Sequence, residues 1–264
     1  MTTIPFKPNR FRSTAAYYTR YRVPYPAELI AAVADRAGLK PGDRVLDLGC
    51  GPAQLAIAFA RLGMNVMAMD PEPEMLAAAA DDIADAGVAV ELRQGSSYDL
   101  GQDLGRFRLV TMGRSFHWMD RPATLMALDG LIEPGGAVAL FGDRRINSSE
   151  DWQGIVNRTQ EQYSPEGSDA RRARRSPDWL HHESVLLDSA FSELWTLGRP
   201  FAQQLTLDDI LGRVYSMSVT SPETLGEGRE TFETALRAEL AVANPSGQFT
   251  EVVSAEAILA SRPA

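Results

Sequence analysis

The stretch Val45-Leu46-Asp47-Leu48-Gly49-Cys50-Gly51-Pro52 runs a short apolar segment into a glycine turn. An apolar run of this length bounded by turn signals reads as a buried strand, and Ala53 to Leu62 continues with good helix formers spaced to pack on a sheet. Strand, turn and helix make the opening half of a βαβ unit. Gly49 and Gly51 carry no Cβ, so the turn can take dihedrals closed to other residues and a ligand can lie against the main chain. A nucleoside-triphosphate loop would add a Lys and a Ser/Thr that are missing here, and a dinucleotide fingerprint would place a third glycine where the chain has Gln54. The unusual residue is Asp47. A carboxylate inside an apolar strand costs free energy unless it meets a cation or hydrogen-bond donors, so donors are expected close to it.

Outward from this turn the alternation repeats. Asn65 to Met69 reads as a second strand ending at Asp70, followed by a proline-led helix from Pro71 to Ala86. Val88 to Arg93 makes a third strand, with Gly95, Ser96 and Ser97 in the turn after it. Phe107 to Met112 is the fourth, Pro122 to Leu131 a helix, Glu133-Pro134-Gly135-Gly136 a tight turn, and Ala137 to Phe141 the fifth strand. This is the doubly wound α/β pattern. Arg12 to Arg36 reads as two helices, the first carrying Tyr17, Tyr18 and Tyr21. Standing before the first strand, they lie outside the βαβ repeat and can fold over a ligand as a lid.

From Arg144 to about Ala190 the chain changes to polar helical pieces bearing Trp152, Tyr163 and Trp179, which read as an inserted cap. Phe191 to Leu205 is expected as a sixth strand, Leu207 to Ser218 and Pro222 to Val242 as helices, and Phe249 to Ala260 as a seventh strand, on the alternation of Phe249, Glu251 and Val253. The organisation is one domain of 264 residues: lid 1–38, ligand-binding core 39–143, cap 144–190 and closing elements 191–264.

Composition narrows the function. A net charge of −9 argues against a general nucleic-acid binder, which needs a basic face. No run reaches the length of a membrane helix and the start lacks a signal-peptide core, so a cytoplasmic protein acting on a small molecule is expected, as a monomer or homodimer. The single cysteine, Cys50, excludes an intrachain disulfide or a cysteine zinc site. Adjacent residues of a helix do not share a face, which argues against His181, His182 and Glu183 as metal ligands. Arg171, Arg172, Arg174 and Arg175 form a basic run that reads as a solvated loop or an anion site.

With Asp47, Gly49 and Gly51 in this order, the first motif resembles that of the class I methyltransferases that use S-adenosylmethionine. The stretch YYTRYRVPYP, with Tyr18, Arg22, Tyr25 and Pro26 at matching places, and the Pro-Gly-Gly turn before the fifth strand resemble the same family. The resemblance implies seven strands, the last antiparallel and inserted near the sixth, with cofactor over the carboxyl ends of the first strands. It implies that Asp47, Gly49 and Gly51 hold the methionine portion, Asp70 the ribose, and Pro71, Ser96 and Ser97 the adenine surroundings, while Tyr18 and Arg22 reach the cofactor carboxylate. Relatives carry an acid at the position of Ser96, where a hydroxyl bonds more weakly. Asp70 has a second reading as a helix N-cap.

After the fourth strand, His117 is a candidate general base or a structural histidine, and Tyr17, Tyr21, Phe116, Trp118 and Trp152 are candidate walls for a flat acceptor methylated on O or N. A non-catalytic cofactor binder and a dinucleotide-dependent oxidoreductase are the alternatives. The latter leaves Asp47 unexplained.

Overall fold

The computed structural model describes residues 13–148, 152–163 and 176–263. Seven strands form one sheet in the order β3-β2-β1-β4-β5-β7-β6. Strands β1 (Arg44–Leu48), β2 (Asn65–Asp70), β3 (Val90–Gln94), β4 (Phe107–Gly113) and β5 (Ile132–Ser148) run parallel. Strand β7 (Gln248–Ser261) enters antiparallel between β5 and β6 (Glu193–Thr206). The expected seven-stranded topology is therefore present.

Alternation along β1 assigns its side chains to opposite layers. Val45 and Asp47 face helices α2 (Ala27–Arg36), α3 (Gln54–Arg61) and α4 (Pro73–Ala86), whose Val33, Phe59 and Ala79 are fully buried. Leu46 and Leu48 face the layer built by α5 (Arg121–Asp129) and α7 (His182–Leu187), through Leu125, Leu128 and Leu186. A third core lies beyond the sheet, where α6 (Trp152–Tyr163), α8 (Leu207–Tyr215) and α10 (Arg229–Ala243) bury Trp152, Ile210 and Phe232. The first helix, α1 (Ala15–Tyr21), packs on α8.

Several expected boundaries shift. Helix α4 starts at Pro73, not Pro71, with Glu72 at its N-cap, because Pro73 is the proline that meets the first-turn requirement. Asp70 is therefore not a helix cap. Strand β5 runs to Ser148, so the first residues assigned to the cap belong to the sheet; their partner is the long β7. The expected helix over 222–242 is two, α9 (Pro222–Leu225) and α10, separated by a 3-10 turn at Gly226–Gly228. Arg12 and the Arg171, Arg172, Arg174 and Arg175 run lie outside the described residues.

In the antiparallel part of the sheet a buried carboxylate is held by three side-chain donors. The Glu251 carboxylate, 1% exposed, accepts from Arg145 Nε at 2.8 Å, Gln203 Nε2 at 2.6 Å and Arg213 Nη1 at 2.5 Å. These bonds hold its pKa below the usual glutamate range although burial opposes them. They join β5, β6, β7 and α8. Arg213 also donates through Nε to Tyr21 O, which carries the network to the end of α1.

Candidate active site

The cavity of about 500 Å³ opens at the carboxyl ends of β1, β2, β4 and β5, where open α/β sheets bind ligands. The glycine turn forms its floor. Gly49 and Gly51 have φ of +69° and +54°, and a Cβ on Gly49 would stand 2.6 Å from the Cβ of Ser115. Two N–H groups of the turn, of Gly49 and Cys50, donate to Met69 O at 2.7 and 3.0 Å, and Gly51 N–H donates to Asp70 Oδ2 at 2.8 Å. The turn is thus pinned to the end of β2. Ser115 holds it from the other side, donating through Oγ to Leu48 O at 2.8 Å.

Asp47 stabilises the turn from below. Its carboxylate, 1% exposed, accepts from Ala56 N–H at 3.1 Å and Thr111 Oγ at 3.0 Å, tying β1 to β4 and to the first turn of α3. The donors demanded by the sequence are present, and a negative charge at a helix N-terminus is favourable. Burial nevertheless pushes the Asp47 carboxyl up to about 7. Asp70 does face the cavity. Each of its oxygens accepts one backbone N–H, from Gly51 and Glu72, and a carboxylate oxygen has a further lone pair for a ligand. Burial raises its pKa as well.

At one side of the cavity stand Tyr18, on α1, and Arg22, the residue that ends α1 and donates its N–H back to Tyr18 O. Arg22 Nη2 donates to Ser216 O at 2.9 Å, and its guanidinium lies 5.0 Å from the Tyr18 ring centroid. Arg114, at the end of β4 with φ +55°, donates through Nε to Asp143 at 2.6 Å and through Nη2 to Val23 O at 2.6 Å. At the other end stand His117, Trp118 and His182, the last brought in by α7. The His117 ring centroid is 4.6 Å from that of Trp118 and 6.4 Å from that of His182.

Residues 45–136 match the family model of a methyltransferase domain. Over 186 residues the chain is 32% identical to the ubiquinone biosynthesis O-methyltransferase of Xanthomonas campestris pv. campestris, covering 69% of this chain and 70% of that protein. The chain belongs to the class I S-adenosylmethionine-dependent methyltransferases. This methyltransferase shares its fold with the solved S-adenosylmethionine-dependent methyltransferase of Geobacter sulfurreducens in complex with S-adenosyl-L-homocysteine: TM-score 0.55, 18% identity, 97% of this chain and 99% of that one. A putative type II methyltransferase from Anaeromyxobacter dehalogenans gives a TM-score of 0.55 at 19% identity, over 92% and 98% of the two chains.

The methyltransferase cavity fits the cofactor on its own geometry. Main chain without a Cβ lies at Gly49 and Gly51, a buried acid faces the space at Asp70, Pro71, Met75 and Met119 supply apolar lining, and Ser97 adds a polar group to the wall. Of the residues expected to hold cofactor, Tyr18, Arg22, Gly49, Gly51, Asp70, Pro71, Ser96 and Ser97 line the cavity and Asp47 does not. Ser96 lines it with a committed hydroxyl: Oγ donates to Asp99 Oδ2 at 2.8 Å and accepts from Tyr98 N–H at 3.2 Å, in a capping box.

Four of the five expected acceptor walls are packing residues instead. Phe116 is 2% exposed, turned into the core behind His182 with ring centroids 5.2 Å apart. Tyr17 and Tyr21 turn toward α8 and not into the cavity; Tyr17 packs on Tyr215 and Tyr21 on Gly212. Trp152 is 1% exposed in the third core, between Arg145 and Arg213. Only Trp118 of the five lines the cavity. Ser115, Arg114, Asp143 and His182 were missed. Ser115 and Arg114 follow the end of β4, a signal available in the sequence, whereas Asp143 lies inside β5, past its expected end, and His182 arrives on a helix from a distant segment.

Proposed function

We propose that this methyltransferase transfers the methyl group of S-adenosylmethionine to a hydroxyl oxygen of a small, flat aromatic or heterocyclic molecule. The observation that carries the reading is the division of one cavity into a glycine-floored end with Asp70 and an end walled by His117, Trp118 and His182. The name of the Xanthomonas relative, an O-methyltransferase, supports oxygen as the atom methylated.

The cofactor supplies a methyl group already activated on a positively charged sulfur. Asp70 holds the ribose hydroxyls, Pro71, Met75 and Ser97 surround the adenine, the main chain at Gly49 and Gly51 lies under the methionine portion, and Tyr18 with Arg22 receives its carboxylate by a charge-assisted pair. At the other end Trp118 offers a flat apolar wall. His117 takes the proton of the acceptor hydroxyl as the oxygen gains its methyl group, so the ether leaves neutral and the proton stays on the imidazole until solvent removes it. Alignment in the cavity supplies the rest of the acceleration. Of the helices in the segment read as the cap, α7 reaches the acceptor end through His182, and among the described residues no helix is long and apolar enough to cross a membrane.

The test uses S-adenosylmethionine carrying a deuterated methyl group, incubated with the protein and a panel of phenols, catechols and hydroxylated heterocycles. Mass spectrometry should find one labelled methyl on an oxygen of at least one compound. Label found only on nitrogen, or no label in any compound although S-adenosylhomocysteine binds, would refute the reading.

A further inference from the structure

His182 carries no role in the account so far beyond lining the cavity. It opens α7, and its ring lies 22° from parallel to that of His117, with centroids 6.4 Å apart. Behind it lies Arg121, the first residue of α5 and only 2% exposed. One nitrogen of that guanidinium, Nη1, donates to Leu180 O at 2.7 Å and stands 3.3 Å from His182 Nδ1. The guanidinium is stacked 4.0 Å over the Trp179 ring, so the segment from Trp179 to His182 wraps around a buried cation.

The direction of the contact between Arg121 and His182 follows from chemistry. A guanidinium has five N–H donors, no acceptor, and does not lose its proton in a folded protein. Nη1 must therefore donate, and Nδ1 must accept with a lone pair. A neutral imidazole whose Nδ1 is bare carries its hydrogen on Nε2. Protonating Nδ1 would cancel this hydrogen bond and set a second cation beside a buried first one, which both desolvation and like charge disfavour. Phe116 packs on the same ring and limits its rotation.

We propose that Arg121 is a positioning residue that holds His182 as the neutral Nε2–H tautomer, and that this N–H donates a hydrogen bond to the acceptor oxygen. The role rests on the O-methyl transfer proposed above. It divides the work between two neighbouring histidines. His117 accepts the proton, and His182, whose basic nitrogen is already engaged, orients the oxygen and favours the negative charge that grows on it as the proton leaves.

Two readouts test this. In protein labelled with 15N-histidine and saturated with S-adenosylhomocysteine, the three histidines are assigned through His117→Gln and His182→Gln. His182 should show a lone-pair Nδ1 and a protonated Nε2, and Arg121→Met should move both resonances toward a tautomer mixture. Arg121→Gln, whose amide can donate or accept and so selects neither tautomer, serves if the methionine variant does not fold. A protonated Nδ1 in the wild type overturns the assignment.

The second readout titrates 4-nitrophenol into the same complex by absorbance. Binding should weaken roughly tenfold in His182→Phe and recover in His182→Gln, whose amide still donates. Equal affinity in all three proteins overturns the donor role. No binding of the phenol even to the wild type removes the hydroxyl-acceptor reading and with it this role, whereas the spectrum decides the tautomer independently.

Discussion

Asp70 Oδ2 accepts the backbone N–H of Gly51 at 2.8 Å, so the acid at the end of β2 and the glycine turn after β1 are one unit. Its other oxygen serves Glu72 N–H at 3.0 Å. Replacing Asp70 by Ala removes a ribose partner and loosens the turn together. Affinity for S-adenosylhomocysteine, measured by calorimetry, should fall by about 1 to 3 kcal/mol. Unchanged affinity would show that Asp70 serves the backbone alone.

The buried acid beneath the turn predicts a pH dependence. Asp47 titrates at about 7 in the fold against 3.8 for an ordinary aspartate. Between those values the folded chain keeps a proton that the unfolded chain releases. The associated stability is full below about pH 4 and is lost as pH rises through about 7, up to about 4 kcal/mol. Asp47→Asn should therefore gain stability relative to the wild type between pH 5 and pH 8 in cofactor-free melts. A difference that stays constant with pH would contradict the burial argument.

Phe116 and Trp118 are two residues apart and face different surroundings. Phe116→Ala should cost about 3 to 5 kcal/mol of folding stability, the range for a large buried ring. Trp118→Ala should leave stability within about 1 kcal/mol while raising the acceptor KM, because Trp118 lines the cavity and is only partly buried. Denaturant unfolding and steady-state kinetics separate the two; the opposite pattern would exchange the wall and core assignments.

Gly212 lies in α8 directly under Tyr21, and a Cβ there would come within 2.3 to 2.5 Å of three ring atoms. Helix propensity alone would favour Gly212→Ala by about 1 kcal/mol. The clash should win and displace α1, carrying Tyr18 and Arg22 from the cavity. Hydrogen exchange in α1 should accelerate and S-adenosylhomocysteine should bind roughly tenfold more weakly. Equal exchange and equal affinity would remove the lid from cofactor binding.

The fold was legible because its signals are local: apolar runs between glycines and prolines fix β1 to β5, and alternation in 249–253 reveals β7. The cofactor end was legible for the same reason, since Gly49, Gly51, Asp70 and Ser97 all sit at the end of a strand or within three residues past it. The acceptor end was not. Tyr17 and Tyr18 are adjacent in sequence yet a helix turns them about 100° apart, and only the position of α8 decides which of them meets the cavity. Trp152 has the composition of a wall residue, but the pairing of β5 with β7 carries it to a different core. His182 becomes meaningful only when α5 places Arg121 behind it, a contact 61 residues apart.

Base-assisted methyl transfer to an oxygen shows itself in the pH dependence of methyl transfer to one hydroxylated aromatic acceptor, measured in the wild type and in His117→Ala. The wild-type rate should rise with pH through a single titration to a plateau. The variant should be slower by roughly a hundredfold or more on that plateau and should lack the titration, while binding S-adenosylhomocysteine as the wild type does. Superimposable profiles with similar rates would contradict the account and leave His117 as part of the cavity wall.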